Sequence, residues 1–470
     1  MYIGERREPL WDYTVVDKEK TTATLSVNHP VMHEVVYLAD APWEGNKCAY
    51  PTVVKDGDIY SLYYGTGTGY RFNKERGKLD ESDYKVCKLE SRDGIRWTRP
   101  IIGKYGENNI VESHPTEPRS SLAVFLDDNP DCPPERRYKG IERVEDGCKV
   151  FTQGGALACF ASGDGRIFER VEDVLREPGK FDSLNTAYYD KEEGVYKLFH
   201  RDFLDGLRAV RYRKSKDFIH WDDVGFISFD DGDIFQLYTN NIKQYYRAPH
   251  VYIGLPVRYV ERKEWTDNYE QLPEREYRRS IMYNEDYKRL GLAMTDTLFM
   301  TSRDGLVWHK FNEAFLDSGL EGKVQEGWFY GAIYLSHGFI EAGDELYFYS
   351  FERGNEITDT AQLRRYSIRL DGFASFKGDY GGKAVVTKPI VFEGDTLGIN
   401  FRTSAAGSIY VTVTDSDGNS ARSIEIFGNN VDRRVCFDRD LADFSGKEVT
   451  LRFDIRDGEI YSFKFSGRES

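Results

Sequence analysis

The sequence predicts an all-β protein: a five-bladed β-propeller with an N-terminal strap over residues 1–378, followed by a small β-sandwich over residues 379–470. Three observations predict it. The 43 glycines, 32 tyrosines and 29 phenylalanines suit pleated sheet, where aromatic side chains fit a half-buried surface and glycines supply the turns. Short alternating runs follow tight turns: Lys55-Asp56-Gly57-Asp58 leads into Ile59–Tyr64, Glu192-Glu193-Gly194 into Val195–Phe199, and Ala342-Gly343-Asp344 into Glu345–Tyr349. Finally, one turn signature recurs along the chain.

That signature sets the number of blades. Ser91-Arg92-Asp93-Gly94-Ile95-Arg96-Trp97 returns as Ser162-Gly163-Asp164-Gly165-Arg166-Ile167-Phe168, as Ser215-Lys216-Asp217-Phe218-Ile219-His220-Trp221 and as Ser302-Arg303-Asp304-Gly305-Leu306-Val307-Trp308. Leu370-Asp371-Gly372-Phe373 opens a degenerate fifth copy. The spacing is too irregular for a solenoid and suits blades with variable loops. Chemically the motif is structural: the Asp closes a turn onto backbone N–H groups, the Gly takes a positive φ, and the aromatic packs between sheets. Five copies predict five blades, with inner strands beginning near Ala49, Ser120, Ser183, Thr239 and Phe329. Thr22–Val27 reads as the strap strand across the last blade, and Glu261–Leu290 as the one helical or irregular insertion. After Lys377 the rhythm stops. Ala384–Val386, Leu397–Phe401, Ile409–Val413, Val449–Phe453 and Tyr461–Phe465 read as the strands of the sandwich, with Thr414–Asn419 as a hairpin turn.

Charge narrows the function classes. With 79 acidic against 64 basic side chains the net charge is −15, which argues against nucleic acid, whose phosphates need a positive field. No apolar run approaches the roughly 18 residues of a membrane span, and the N-terminus lacks the basic-then-apolar layout of a signal peptide, so a cytoplasmic location is expected. The six cysteines and eight histidines are scattered without Cys-x-x-Cys or His-x-x-x-His spacing, so neither disulfides nor a transition-metal site is expected. No cofactor is implied; a single structural Ca²⁺ or Na⁺ held by oxygens would leave no signature.

A propeller gathers the starts of its inner strands around an axial funnel, and here those starts are acidic and aromatic. They carry Trp43-Glu44, His114 with Arg119, Asp182 with Asn185, Tyr238 with Asn240, and Glu326 with Trp328 and Tyr330; Arg247 and His250 follow on the second strand of blade four. Glu44, Asp182 and Glu326 are the candidate catalytic carboxylates, because glycosidic cleavage needs an acid, a nucleophile or base, and gains from a third carboxylate that orients hydroxyls. Trp43, Trp328 and Tyr330 offer flat faces to a sugar ring. His114, Arg119, Asn185, Tyr238, Asn240, Arg247 and His250 are the candidate substrate-binding residues, and no metal ligands are assigned.

The order Glu44, Asp182, Glu326 by blade, with the entry segment Ala49–Tyr64, resembles the five-bladed glycoside hydrolases of the invertase-like, arabinanase/xylosidase-like and mannosyl-phosphorylase-like families over roughly residues 35–378. The resemblance implies carboxylate-driven cleavage of a short oligosaccharide and a carbohydrate as the partner, with a homo-oligomer compatible with the C-terminal module. It also departs from those families. Ala49-Tyr50-Pro51 lacks the Asp they place before this Pro, so either Glu44 takes its place or the first-blade carboxylate is missing. Phe181-Asp182-Ser183 replaces an Arg-Asp-Pro, which marks a divergent branch. Two alternatives stand beside hydrolysis: a phosphorylase, prompted by Arg119, Arg247 and His250, and a non-catalytic sugar-binding propeller, prompted by the missing Asp.

Overall fold

The computed structural model describes residues 1–73, 78–114, 121–144, 155–272, 275–282, 288–319, 333–352 and 360–467. Five antiparallel sheets form the blades. Blade one is Lys47–Asp56, Ile59–Asn73, Lys78–Ser91 and Ile110–His114; blade two is Ala123–Leu126, Tyr138–Val144, Gly155–Ser162 and Glu169–Gly179. Blade three runs from Thr186–Asp190 through Val195–Leu204 and Leu207–Ser215 to Asp222–Phe226. Blade four joins Lys243–Tyr245, Ala248–Gly254, Met300–Ser302 and Val307–Lys310, with Ser228–Phe229 added in parallel at its edge. Ile340–Ala342, Glu345–Glu352 and Ala361–Arg369 make blade five, and its fourth strand is Val31–Ala39 from the other end of the chain.

That last pairing closes the ring, since a strand near the N-terminus completes the sheet formed by the last blade. The strap expected at Thr22–Val27 does something else. Thr24–Val27 pairs with Ala374–Gly378 in the second module, because Leu25 lies opposite Phe376 in that core. The closing strand, Val31–Ala39, begins four residues further on. The helical insertion is present, as Arg275–Met282 and Lys288–Leu292 between the paired strands Val257–Glu261 and Ala293–Thr297.

The repeated turn explains why the blades stack. In each of the four full copies the Asp Oδ1 accepts from the backbone two residues on (Ile95, Arg166, Ile219 and Leu306), while the Ser hydroxyl accepts from the residue after the Asp. The aromatic that follows then packs on the preceding blade: Trp97 on Tyr349, Phe168 on Tyr63 and Trp308 on Phe199. The Tyr349 and Tyr63 hydroxyls also donate to the carbonyls of Gly94 and Gly165. Those glycines are required twice over. Their φ values are 71° and 68°, and a Cβ would stand 2.7 Å and 2.5 Å from the two tyrosine oxygens. Phe218 takes the same place in the third copy at φ 67°. The fifth copy turns its Asp371 side chain to another use, described below.

The second module is one ten-stranded sheet folded over its own core. The strand pairs expected at 397–401 and 409–413, and at 449–453 and 461–465, are halves of two long strands, Thr396–Asp415 and Glu448–Ser466. They stay paired on both sides of an irregularity between Thr403 and Ser408, where Gly407 admits a close approach: a Cβ would lie 2.3 Å from the Asp457 carbonyl oxygen. Tyr2–Gly4, Arg7–Pro9, Thr24–Val27 and Ala374–Gly378 join this sheet, so residues on both sides of position 378 share one core. Among the described residues no helix is long and apolar enough to cross a membrane.

Candidate functional site

Tyr50 of blade one and the segments that lead into blades three, four and five meet in one cluster. Ser183, one residue after Asp182, donates its hydroxyl to the Tyr238 carbonyl of the next blade. Tyr50, Tyr238 and Tyr334 form an aromatic cluster, largely buried, with the Tyr50 and Tyr238 hydroxyls 3.5 Å apart and ring centroids 5.2 Å (Tyr50–Tyr334) and 5.8 Å (Tyr238–Tyr334) apart. Tyr50 holds φ 55°, where the pairing of Lys47–Asp56 with its neighbour is interrupted between Ala49 and Thr52. Asn185 fixes the approach to blade three: its amide donates to the Phe181 and Ser183 carbonyls, and its oxygen accepts from the Arg201 backbone N–H.

Asp182 stands on this support with its side chain 57 % exposed. Two guanidinium groups flank it: Arg143 Nη1 lies 3.8 Å from Oδ1, and Arg201 Nη2 lies 3.9 Å from Oδ2. These are ion-pair distances beyond hydrogen-bond reach. Both arginines are nearly enclosed, with side chains 8 % and 9 % exposed. Arg201 anchors its Nε to the Lys180 carbonyl at 2.6 Å and lies against the rings of Phe203 and Tyr238. Among the described residues its terminal nitrogens make no hydrogen bond. On the neighbouring strand Glu142 is fully buried and accepts from the Ser121 N–H. Burial pushes His200, beside Arg201, down to about 4, so its ring is neutral near pH 7.

The other sequence candidates fall elsewhere. Glu44 is fully buried in the wedge between blades five and one, where it accepts from the Tyr37 and Tyr64 hydroxyls, the Ala41 N–H and Arg99. Its oxygens are occupied as a clamp between blades, and the missing Asp before Pro51 is not replaced by a carboxylate open to the axis from this position. Trp43 packs beside it and donates to Asn109. Arg247 bonds Asp371, and His250 lies 3.3 Å from Glu8, both at the junction with the second module. That overturns their reading as funnel residues: Asp371 is buried with Arg7, Arg247, the Tyr245 hydroxyl and Ser462 around it, and draws Arg247 away. Asn240 is saturated by Thr186, Ile242, Leu184 and Phe199, tying blades three and four. Glu326, Trp328, Tyr330 and Arg119 lie outside the described residues, as does the side chain of His114.

Arg143 and Arg201 are not at the starts of inner strands, where the sequence candidates lie. The signal lay on the second strands, whose apolar alternation ends in charge: Ile141-Glu142-Arg143, Phe199-His200-Arg201 and Phe351-Glu352. Buried charge at the end of an otherwise apolar strand needs a partner, and these groups find theirs near the axis or, for Glu352, in Arg364 and Tyr366. A cavity of about 200 Å³ lined by Cys132, Lys139, Tyr196 and Phe218 lies instead beside the third Asp turn, where Lys139 is already bonded to Asp127.

No family model matches the chain, and no curated protein matches it. Among solved structures it is similar to an N-acetylgalactosamine deacetylase from F. plautii in complex with blood group B trisaccharide, at 13 % identity and TM-score 0.48, over 74 % of this chain and 96 % of that one. It is also similar to the Bombyx mori GH32 beta-fructofuranosidase, at 10 % identity and TM-score 0.44 over 96 % and 95 %. A third likeness is to a structure described under the GH130 family of mannoside phosphorylases, at 11 % and 0.42 over 77 % and 96 %. The protein is a five-bladed propeller, and the chemistry of its candidate site has to be taken from its own residues.

Proposed function

We propose that the chain cleaves a glycosidic bond in a short oligosaccharide bound at the axial face, with Asp182 as the carboxylate at the reacting centre. One observation carries this reading: Asp182, four residues before the first strand of blade three, is largely exposed and is held between two enclosed arginines near a cluster of tyrosines. A carboxylate so placed can act as nucleophile or base toward an anomeric carbon, or stabilise the positive charge that develops there. The half-buried Tyr50 ring gives an apolar face for stacking a sugar. Glu326 remains the proposed partner carboxylate on sequence grounds. The separation of the two carboxyl groups, about 5 Å or roughly 6.5–9.5 Å, would distinguish retention from inversion.

The test is turnover of aryl glycosides and plant oligosaccharides by the full chain, with and without inorganic phosphate. Asp182→Asn is expected to lower kcat/KM by about a thousandfold or more, in line with losing a group that acts in the transition state. Indistinguishable rates for wild type and Asp182→Asn would sink the reading. Formation of a sugar phosphate only when phosphate is present would favour the phosphorylase, for which the free Arg201 tips are the supporting observation. Tight sugar binding without product would favour a binding propeller, the reading supported by the full occupancy of Glu44.

A further inference from the structure

The enclosed lysines of this protein meet carboxylates: Lys88 pairs with Glu90, Lys139 with Asp127, Lys197 with Asp190 and Lys310 with Asp231. Lys243 does not. It opens the first strand of blade four, and among the described residues its amine makes no hydrogen bond or ion pair. Burial pushes that amine down to about 8, which leaves it mostly protonated at pH 7. Asp128, the carboxylate that favours its charge, stands beyond ion-pair reach and is itself paired with Lys191 at 3.2 Å. A charge placed this way calls for a partner.

The groups around Lys243 lack partners too. From blade four, the Asn241 amide donates to the Leu335 carbonyl at 2.8 Å, and the Lys243 amine lies 5.1 Å from the centre of the Phe339 ring. His337 stands midway between these two contacts. From blade one, Thr52 is bridged to His337 in parallel, and Gly338 lets the two segments close up: a Cβ there would stand 2.6 Å from the Val53 carbonyl oxygen. Three segments thus converge on His337. Among the described residues, Thr52 Oγ1, His337 Nδ1 and Asn241 Oδ1 are buried there without a hydrogen-bond partner. Burial, joined by the Lys243 charge, pushes His337 down to about 3, so its ring is neutral and keeps one N–H. The Lys243 side chain is only half-buried although its amine is desolvated, so a gap runs along it.

We infer that this gap holds one small monovalent anion, a halide such as chloride, between the Lys243 ammonium, the Thr52 hydroxyl and the His337 ring. The chemistry follows from what is left over. The unpaired charge is single, so one monoanion neutralises it. The Thr52 hydroxyl is a donor without an acceptor, and so is the His337 ring in the tautomer that carries its hydrogen on Nδ1. Asn241 Oδ1 is an acceptor, and takes its hydrogen from the ammonium or from a water beside the anion. Water alone would satisfy the hydroxyl and the ring but leave the ammonium without a counter-charge. Size is limited as well. Tyr50, Tyr238 and Tyr334 stand two or three residues earlier on the same three segments, and this largely buried layer closes one side of the site to a sugar acid or a phosphate. The site is independent of the glycoside reading.

Thermal unfolding of the full chain in sodium chloride, sodium bromide and sodium gluconate at equal ionic strength tests this. Gluconate is too large for the gap and serves as the reference. Chloride and bromide are expected to raise the melting temperature saturably, by about 2 °C or more over gluconate, because a ligand that binds only the folded state stabilises it. Lys243→Met removes the charge, keeps an unbranched side chain, and is expected to lose that difference. In crystals grown in bromide, anomalous scattering should place one bromide beside Lys243, Thr52 and His337. Equal melting of the wild type in chloride and gluconate overturns the inference, and that comparison does not depend on the variant folding. So does a halide effect that survives Lys243→Met, or a site filled by water alone in the bromide crystals. None of these outcomes bears on Asp182-dependent turnover, so this inference and the glycoside reading fail separately.

Discussion

Two clusters of enclosed charge in this protein are built on opposite terms. At the junction between propeller and sandwich, Asp371 is fully buried and surrounded: Arg7 and Arg247 pair with it, the Tyr245 and Ser462 hydroxyls donate to it, and the Trp11 indole donates to its carbonyl. At the axial face, Asp182 stands between two arginines that reach ion-pair distance and no closer. The first cluster has nothing left to bind and holds two modules together. In the second, the terminal nitrogens of Arg201 make no hydrogen bond among the described residues. Saturation therefore separates structural charge from functional charge more sharply than residue type does, and it is why Arg247 and His250 belong to the junction and Arg201 to the site.

The largest effect should come from emptying the saturated cluster. Asp371→Ala leaves the Arg247 guanidinium without its counter-charge and Arg7 with Asp432 alone, and removing one partner of a buried pair typically costs about 3–5 kcal/mol. Denaturant unfolding should show it as a lower midpoint, and a loss below about 1 kcal/mol would mean that the junction tolerates unpaired charge and that saturation is not what defines it.

The junction should also give stability its acid dependence. Burial alone would raise Glu8, but the neighbouring His250, Arg303 and Arg6 outweigh it and hold the carboxyl down at about 2, from 4.5. A depressed carboxyl stabilises the folded state above the unfolded value, and that contribution is lost as pH falls from about 4.5 through 2, worth about 3 kcal/mol at 1.4 kcal/mol per unit. His200 adds to the loss at higher pH. Its folded value of about 4 lies below the 6.5 of a free ring, so protonation of the unfolded chain draws stability away as pH falls from 6.5 toward 4. Melting temperature against pH is the measurement. Glu8→Gln should flatten its lower limb, and an unchanged lower limb would refute the assignment.

The turns offer a smaller contrast. Gly165→Ala forces a Cβ to 2.5 Å from the Tyr63 hydroxyl at φ 68°, whereas Gly57→Ala meets nothing within 4 Å at φ 58°. Both carry the backbone strain of about 1 kcal/mol, and the first adds an overpacking cost of about 1–3 kcal/mol. Equal melting temperatures for the two variants would show that the Tyr63 clasp does not bind blade one to the turn of blade two.

Much of the fold was legible because its cause is local. An Asp two residues after a Ser, with an aromatic behind it, builds the same turn at Asp93, Asp164, Asp217 and Asp304, and these four with the degenerate copy at Asp371 count the blades. The site was less legible because its cause is not local. Asp182 could be found from its place shortly before the first strand of blade three, but Arg143 and Arg201 come from different blades, and nothing in their own segments says that they converge. Glu44 reads the same in sequence whether it faces a funnel or a wedge; the partners that decide it, Tyr37, Tyr64 and Arg99, are 7, 20 and 55 residues away. The closing strand was misplaced for a related reason. Thr22–Val27 and Val31–Ala39 both alternate, and only the Phe376 core assigns the first to the sandwich.

The smallest effect on stability should come from the residue with the largest proposed effect on activity. Asp182 is more than half exposed and makes no hydrogen bond to either arginine, so Asp182→Asn should change unfolding free energy by no more than about 0.5 kcal/mol, as for other exposed ion pairs. Set beside Asp371→Ala, this turns the comparison into a ratio: two buried-arginine clusters, each losing its carboxylate charge, with stability effects several-fold apart. If Asp182→Asn cost as much as Asp371→Ala, the axial arginines would be held by Asp182 in the way the junction arginines are held by Asp371. The unused tips of Arg201 would then be a feature of packing, with no call on a ligand.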